Sequence, residues 1–245
     1  MQGPLEYEIH YIECVKSTNT TLKELAKRNA SEGYVLIASE QTNGRGRMNR
    51  VFYSPKGTGL YCSILLRPKI ALPPASLTCM AAAAVSETIE EFDVPCKIKW
   101  VNDVYVHEKK AVGILTEGAY KQDGTYAYAV VGIGVNLFHP KDGFPKQVEE
   151  IATSVFSTAL DEEIKKRFIK RLLYRFKQYY EQLPQTPFYQ VYCEKQMIIG
   201  KPILFSDTDG MKRGTAIGID EEFRLVVQTS DGETHSLERG EVTVM

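Results

Sequence analysis

The sequence predicts an α+β protein in which a mixed, mostly antiparallel sheet carries helices on one face and is followed by a small β-barrel. Long strand segments between residues 34 and 137 are joined by short links, which favours antiparallel neighbours. Separate segments show the apolar spacing of amphipathic helices. After Gly200, short strands alternate with turns, a pattern typical of a small antiparallel barrel. We therefore divide the chain into domains at residues 1–198 and 199–245.

The helices are predicted from apolar spacing and from residues that favour helix starts. Ser17, Thr18 and Asn19 form an N-cap cluster before the first helix, and Asp161 caps the third. Pro184 ends that third helical pattern. The predicted helices span residues 20–28, 76–92 and 162–183.

Runs of apolar and β-branched residues between turns predict the strands. In the first domain the strands span residues 34–40, 59–67, 96–100, 103–107, 111–118 and 126–137. In the second they span residues 201–206, 214–219, 225–228 and 234–238, separated by turns at 207–210, 220–222 and 230–232. The strands thus fall into two groups, one for each domain.

Composition excludes several classes of protein. The 245 residues carry a formal net charge of −1, which argues against nucleic-acid binding driven by bulk charge. The five scattered cysteines form no C-x-x-C pair, and no apolar run approaches the roughly 20 residues of a membrane helix. The N-terminal residues lack the order of a secretory signal. We expect a cytoplasmic protein without a disulfide framework, a cysteine zinc site or a membrane span.

The loop at residues 41–50 combines a flexible backbone with fixed positive charge. Gly44 and Gly46 alternate with Arg45 and Arg47, and a further arginine ends the loop. Glycine allows backbone conformations closed to other residues, and guanidinium groups bind phosphates and carboxylates. The glycine spacing matches neither common nucleotide-binding loop. The loop predicts an anion site, with an exposed basic loop or an RNA-contacting segment as alternatives.

A β-hairpin is predicted around a turn near residues 108–109. In this register Asp103 and Lys110 point to the same face. The alternatives are a solvated lysine beside a turn, an aspartate that caps a turn, and a core position for Trp100, the only tryptophan.

A glycine-containing strand follows at residues 126–137. Alternation places Gly132, Gly134 and Asn136 on one face and apolar residues on the other. Glycines inside a strand often mark the close approach of a ligand or of another backbone. This strand therefore predicts either the floor of a ligand site or tight packing of a crossing helix.

The residue types restrict the chemistry. The four histidines are far apart without metal-ligand spacing, and no G-x-S-x-G motif or nucleophilic-cysteine signature is present. Arginine, lysine, asparagine and aspartate around glycine-lined backbone form a site that stabilises anions. Such a site suits phosphoryl or adenylyl transfer, in which positioning and charge neutralisation supply most of the catalysis.

Together these stretches resemble the biotin protein ligases, from about residue 9 to the end of the chain. The matching elements follow the family's order and spacing: Ser17-Thr18-Asn19, Gln41 with Gly44-Arg45-Gly46-Arg47, Lys99-Trp100-x-Asn102-Asp103, Lys110-x-x-Gly113-Ile114-Leu115-x-Glu117, and Gly132-x-Gly134-x-Asn136. The tail is similar through Gly200-Lys201-Pro202, Gly214-x-Ala216-x-Gly218-Ile219-Asp220 and Gly240-Glu241-Val242. Val101 replaces a frequent proline, and Asn49 stands where some members have glycine.

The resemblance implies a class II synthetase-like catalytic domain and an SH3-like C-terminal domain. It implies that the biotin carboxylate attacks the α-phosphate of MgATP, giving biotinyl-5′-AMP and pyrophosphate. A lysine of a biotin carboxyl carrier domain, as in acetyl-CoA carboxylase, then attacks the mixed anhydride. The expected small molecules are therefore ATP, Mg²⁺ and biotin. Because the match starts almost at Met1, we expect no N-terminal helix-turn-helix and no operator binding.

The resemblance also implies residue roles. Lys110 is the expected catalytic cation, Arg45 and Arg47 would hold the ligand and close the loop against water, and Asp103 would orient Lys110 or bind Mg²⁺. The expected biotin-binding residues are Ser17, Thr18, Asn19, Gln41, Arg45, Gly46, Arg47, Lys110, Gly113, Gly132 and Gly134. The expected ATP- or adenylate-binding residues are Arg45, Arg47, Arg50, Trp100, Asn102, Lys110 and Asn136.

Two alternative functions stay open: a lipoate or octanoate ligase of the same fold, and a biotin-binding regulator without catalysis. The R-G-R loop and the K-W-x-N-D element favour biotin, and the presence of Lys110 argues against a pure sensor. A sheet edge could support a homodimer. The sequence assigns no role to the C-terminal domain or to the loop at residues 138–151.

Overall fold

A computed structural model of the chain describes residues 3–207, 210–238, 240 and 242–245. Thr208 and Asp209 of a predicted turn, and Glu241 of the third tail motif, lie outside the described residues. The helices are α1 (Thr18–Lys27), α2 (Ser76–Glu90), α3 (Glu162–Glu181) and α4 (Phe188–Glu194). The strands are β1 (Glu8–Val15), β2 (Tyr34–Gln41), β3 (Gly59–Leu66), β4 (Lys97–Lys99), β5 (Asp103–Val106), β6 (Lys109–Tyr120), β7 (Tyr126–Asn136), β8 (Pro202–Asp207), β9 (Gly210–Ile219), β10 (Leu225–Gln228), β11 (Thr234–Leu237) and β12 (Val242–Val244).

Seven of the described strands form one sheet in the order β1-β2-β3-β7-β6-β5-β4. Strands β1 and β2 are parallel, and the other neighbours are antiparallel. The predicted α+β class with a mixed, mostly antiparallel sheet is confirmed. Strand β1 was not predicted: it lies at the sheet edge with most side chains exposed, so its sequence lacks the apolar alternation of a half-buried strand.

The central strands are buried on both faces. Val35 and Ile37 of β2 face a core that α2, α3 and α4 cover, as the prediction of helices on one face requires. Leu36 of the same strand faces the opposite way and packs in a smaller cluster with Leu22 and Ala26 of α1. Helix α1, predicted at residues 20–28, therefore packs on the opposite face of the sheet from the other three helices, which the prediction of helices on one face did not include. Its presence follows from the second apolar face, which also needs cover.

The predicted caps begin two of the helices. Asp161 Oδ1 accepts hydrogen bonds from Glu163 N at 2.9 Å and Ile164 N at 3.0 Å, and Ser17 Oγ accepts from Thr20 N at 3.5 Å. Helix α4 was not predicted, because its 7 residues are too few to show a helical period. None of the helices in the described part of the chain is long and apolar enough to cross a membrane.

The described C-terminal residues form a five-stranded antiparallel sheet in the order β11-β10-β9-β8-β12. Phe205, Leu225 and Val227 of this sheet belong to the same apolar core as the large sheet. In addition, Trp100 Nε1 donates a hydrogen bond of 3.0 Å to the Phe223 carbonyl. The predicted small β unit is confirmed, and it packs directly on the first region. The exact domain boundary between residues 198 and 199 stays a prediction.

Candidate active site

A cavity of about 720 Å³ lies where the glycine-containing face of β7 meets the loop at residues 41–50, here called the arginine loop, and the start of α1. Residues far apart in the sequence line it together. Every predicted site residue is among them: Ser17, Thr18, Asn19, Gln41, Arg45, Gly46, Arg47, Arg50, Trp100, Asn102, Asp103, Lys110, Gly113, Gly132, Gly134 and Asn136. The structure therefore brings the sequence motifs to one place, as a single binding site requires.

The β5–β6 hairpin places a lysine and an aspartate in contact. Its two turn residues, His107 and Glu108, have φ angles of 47° and 63°, so the turn lies one residue earlier than predicted. Lys110 Nζ lies 2.7 Å from Asp103 Oδ1, which also accepts a hydrogen bond of 2.9 Å from Asn102 Nδ2. Lys110 is thus a paired cation that lines the cavity and not a freely solvated lysine beside a turn.

The arginine loop is held shut by short backbone contacts. Gly46 N donates to Arg50 O at 2.8 Å, and Phe52 N donates to Gly44 O at 2.9 Å. A side chain at Gly44 would not fit, because its Cβ would lie 2.3 Å from the Phe52 carbonyl oxygen. The loop therefore folds as a narrow turn in which Arg45, Arg47 and Arg50 line the cavity, whereas Met48 is exposed. The side chain of Asn49, the second departure from the family pattern, lies outside the described part.

Arg47 connects three parts of the molecule. Its Nη1 donates to Asn102 Oδ1 at 2.9 Å, and its Nη2 donates to Gly240 O at 3.2 Å. The loop, the β4–β5 connection and the C-terminal region thus meet at this guanidinium. The peptide bond between Trp100 and Val101, where the family pattern has proline, is cis.

Arg45 lies beside a carboxylate that the sequence analysis assigned no role. Arg45 Nη1 is 3.3 Å from Glu117 Oε1, which is also 2.6 Å from Lys23 Nζ. Asn19 Nδ2 donates to Glu117 Oε2 at 3.1 Å. Burial raises the pKa of Glu117, but the hydrogen bonds from Lys23 and Asn19 outweigh this and hold the pKa below its usual value. Glu117 is therefore ionised at neutral pH.

A polar network fixes the start of α1. Gln41 Oε1 accepts from Thr18 N at 2.9 Å and from Thr18 Oγ1 at 3.1 Å, and Gln41 Nε2 donates to Ser54 Oγ at 3.0 Å. Ser63 Oγ lies 2.6 Å from Asn19 Oδ1. Ser54 and Ser63 were not predicted as site residues, since single serines in strand or loop segments carry no distinguishing pattern. The network orients polar groups that line the cavity.

The glycines of the sheet accommodate side chains from other elements. A Cβ on Gly132 would lie 2.1 Å from Asn19 Oδ1, so this glycine makes room for the first turn of α1. A Cβ on Gly134 would lie 2.7 Å from the Phe52 ring, and one on Gly113 would lie 3.1 Å from it. Packing of a helix, one of the two predicted alternatives, is thus observed at Gly132, whereas the floor of a ligand site stays a prediction. Phe52 forms a wall of the cavity that the sequence analysis missed.

The segment after β7 also reaches the cavity. Lys110 N donates to Ile151 O at 2.8 Å, and Thr153 N donates to Lys110 O at 3.0 Å. Asn136 Nδ2 holds the same segment through a hydrogen bond of 3.1 Å to Thr153 O. The loop at residues 138–151 therefore borders the site beside Lys110. Its lining residues are Phe144, Gln147, Val148 and Ile151.

Trp100 is both a core residue and a cavity residue. Its side chain is buried, its ring borders the cavity, and its Nε1 bonds to the C-terminal region. Across the described residues, no group of three or more His, Cys, Asp or Glu side chains converges to form a metal site. Asp103 is the one carboxylate that lines the cavity within this described part of the chain.

Two family models match the chain. Residues 11–136 match the biotin/lipoate A/B protein ligase family, and residues 198–245 match the biotin protein ligase C-terminal domain. The bifunctional ligase/repressor BirA of Bacillus subtilis is 36% identical over 227 residues, which cover 91% of this chain and 70% of the relative. The biotin--[acetyl-CoA-carboxylase] ligase of Paracoccus denitrificans is 32% identical, over 88% of this chain and 92% of the relative.

Solved structures give the same result. The biotin protein ligase of Aquifex aeolicus in complex with biotin and ATP is similar to this chain with a TM-score of 0.78 and 29% identity, over 97% of this chain and 98% of that one. This likeness extends over both sheets and therefore over all the elements that line the cavity. Together with the sequence matches, it establishes that the chain belongs to the biotin/lipoate A/B protein ligase family.

Proposed function

We propose that the protein is a biotin protein ligase, which makes biotinyl-5′-AMP from biotin and MgATP and then transfers biotin to a lysine of a carrier domain. The observation that carries this proposal is the cavity, which gathers Lys110, Arg45 and Arg47 around glycine-lined strands in a chain of this family. The C-terminal match and the named relatives favour biotin over lipoate or octanoate.

The first half-reaction brings a carboxylate against a phosphate, so its repulsion must be screened. The carboxylate oxygen of biotin attacks the α-phosphorus, and the bond to the pyrophosphate oxygen breaks. Lys110 is the cation that neutralises the charge of both groups in the transition state. Asp103, at 2.7 Å, orients the Lys110 ammonium, and the hydrogen bond from Asn102 holds Asp103 in turn.

The arginine loop holds the anionic parts of the ligands. Arg45 and Arg47 bind carboxylate or phosphate oxygens, and the backbone of the loop covers the mixed anhydride against water. The anchoring of Arg47 by Asn102 and Gly240 supports this role, because a cation fixed before binding loses little entropy when the ligand arrives. Arg50, Trp100 and Asn136 complete the adenylate end of the site.

The opposite end of the cavity binds the biotin rings. Ser17, Thr18 and Gln41 supply polar groups for the ureido ring, together with the backbone of Arg45 and Gly46. Asn19 shapes this end through its contact with Gly132. Gly113 and Gly134 lie under the ring of Phe52, whose apolar face suits the uncharged part of biotin.

Mg²⁺ arrives with ATP in this proposal. In phosphate-transferring sites Mg²⁺ keeps several waters and is held by one or two carboxylates and by the substrate phosphates. Asp103 would hold the ion through its second carboxylate oxygen, because Oδ1 is engaged by Lys110 and Asn102. In the second half-reaction the neutral amine of the carrier lysine attacks the anhydride carbonyl carbon, and AMP leaves. The carrier is a biotin carboxyl carrier domain of a carboxylase, in line with the names of the relatives.

Two further features belong to the proposal. The exposed side chains and free edge of β1 offer a surface on which a homodimer could form. All five cysteines are free thiols, which fits a reducing compartment such as the cytoplasm.

Pyrophosphate release from ATP tests the function. Biotin should support release by the purified protein, whereas lipoate and octanoate should not. Release with lipoate but not biotin would overturn the substrate assignment. Tight biotin binding without any release would instead identify a regulator.

A further inference from the structure

Glu117 of β6 lies at the junction of three elements beside the cavity. Its two carboxylate oxygens bind Lys23 and Asn19 of α1 and Arg45 of the arginine loop. Its side chain is only 18% exposed, so these contacts are not ordinary surface ion pairs. The carboxylate therefore couples the loop to the rigid body of the sheet and α1.

The position of the Glu117 carboxylate is fixed by a rigid neighbour. Asn19 is buried, and its Nδ2 donates both to Glu117 Oε2 at 3.1 Å and to the Leu115 carbonyl at 3.0 Å. Its Oδ1 accepts from Ser63 Oγ at 2.6 Å, and a side chain at Gly132 would clash with that oxygen. Because both polar atoms of its amide are hydrogen-bonded, the Asn19 side chain holds one orientation. Its hydrogen bond to Oε2 therefore also fixes the position of the Glu117 carboxylate.

The charges of the cluster leave Arg45 able to bind an anion. Lys23 Nζ lies 2.6 Å from Glu117 Oε1, whereas Arg45 Nη1 lies 3.3 Å from it, so Lys23 is the closer counter-ion of the carboxylate. The group formed by Lys23, Glu117 and Arg45 therefore keeps one net positive charge at neutral pH. Glu117 fixes the direction of the guanidinium without cancelling its charge, which is what a preorganised anion site needs.

We propose that Glu117 is a positioning residue that holds the Arg45 guanidinium at the cavity wall, ready for a carboxylate or phosphate oxygen of the ligand. The inference rests on the proposed function for the identity of that ligand. It distinguishes the two arginines of the loop: Arg47 is anchored by neutral oxygens of Asn102 and Gly240, whereas Arg45 is anchored by a charged one.

The test is a double-mutant cycle on biotin-dependent pyrophosphate release. Glu117→Gln should raise KM for biotin and lower kcat/KM about tenfold, because a charge-assisted contact to Arg45 becomes a neutral one. In an Arg45→Ala background the same change should alter kcat/KM less than twofold. Lys23→Met removes the other ion pair of Glu117 but keeps the contact with Arg45, and it lowers the net charge of the group by one. It is therefore the matched control for the position of Arg45, measured next, and not for kcat/KM.

A second readout does not need activity. Trypsin cleaves after Arg45, and mass spectrometry of the fragments should show faster cleavage there in Glu117→Gln than in the wild type or in Lys23→Met. Unchanged cleavage, or an equal loss of kcat/KM in both arginine backgrounds, overturns the inference. Faster cleavage in Glu117→Gln, together with a wild-type protein that releases no pyrophosphate, upholds the positioning role and refutes the proposed function instead.

Discussion

Replacing Lys110 by methionine removes the cation that faces the reacting anions while keeping the length of the side chain. Two unit charges about 4 Å apart interact by about 4 kcal/mol at an effective dielectric constant of about 20. The side chain of Lys110 is 30% exposed, and its ammonium also interacts with Asp103 at 2.7 Å. Solvent and this carboxylate both reduce the interaction energy that remains for the reacting anions. We expect a loss of about 2.7 kcal/mol of transition-state stabilisation, or about 100-fold in kcat.

The assay is biotin-dependent pyrophosphate release at saturating ATP. Lys109→Met is the control, because the neighbouring lysine bonds only to the Glu149 carbonyl at an exposed position, among the described contacts. We expect Lys109→Met to stay within twofold of the wild type. A Lys110→Met variant that releases pyrophosphate within threefold of the wild-type rate would refute the role of Lys110, provided that both variants melt at the wild-type temperature.

Three further predictions concern stability. Gly132→Ala should lower the free energy of unfolding by about 1–3 kcal/mol, measured by urea denaturation, because the added methyl would lie 2.1 Å from Asn19 Oδ1. Trp100→Phe should lower it by about 1–3 kcal/mol, since the buried Phe223 carbonyl loses its hydrogen bond. Hydrogen bonds from arginines of α3 hold the pKa of Glu91 below its usual 4.5, so the stability it adds above pH 4.5 is lost as pH falls further. In Glu91→Gln, thermal melting should therefore depend less on pH in this acid range; an unchanged slope would contradict the argument.

Three of the cations that line the cavity share one structural feature. Lys110 is paired with Asp103, Arg47 with Asn102 and Arg45 with Glu117. Unpartnered cations so close together would repel one another and disorder the loop. Oxygen partners from separate elements fix each cation before the ligands bind. The site thus resembles a preorganised anion-binding site more than a flexible basic loop.

Much of this site could be predicted because its residues lie in short motifs with a local signal. The alternation of β7 correctly placed Gly132 and Gly134 opposite the apolar core. The hairpin register correctly brought Asp103 and Lys110 together, although the turn was displaced by one residue. Both predictions depend on residues that are close in the sequence, so strand alternation and hairpin register are enough to make them.

The missed features depend on contacts between distant segments. Phe52 and Ser63 reach the site through packing of separate elements, and no local pattern distinguishes them from ordinary core positions. Glu117 ends a motif that was recognised, but its role depends on contacts with Lys23 and Arg45, which lie far away in the sequence. The loop at residues 138–151 has no periodicity, and it is held by backbone hydrogen bonds to Lys110 that the sequence does not encode locally. Edge strand β1 was missed because its side chains are mostly exposed.

The measurement that tests the central claim most directly is isothermal titration of biotin and then MgATP into the wild-type protein, followed by mass spectrometry of the bound product. The account predicts one biotin site per chain and a bound species with the mass of biotinyl-5′-AMP. Absence of biotin binding, or an adenylate formed with lipoate instead, would contradict the assignment of biotin as the substrate.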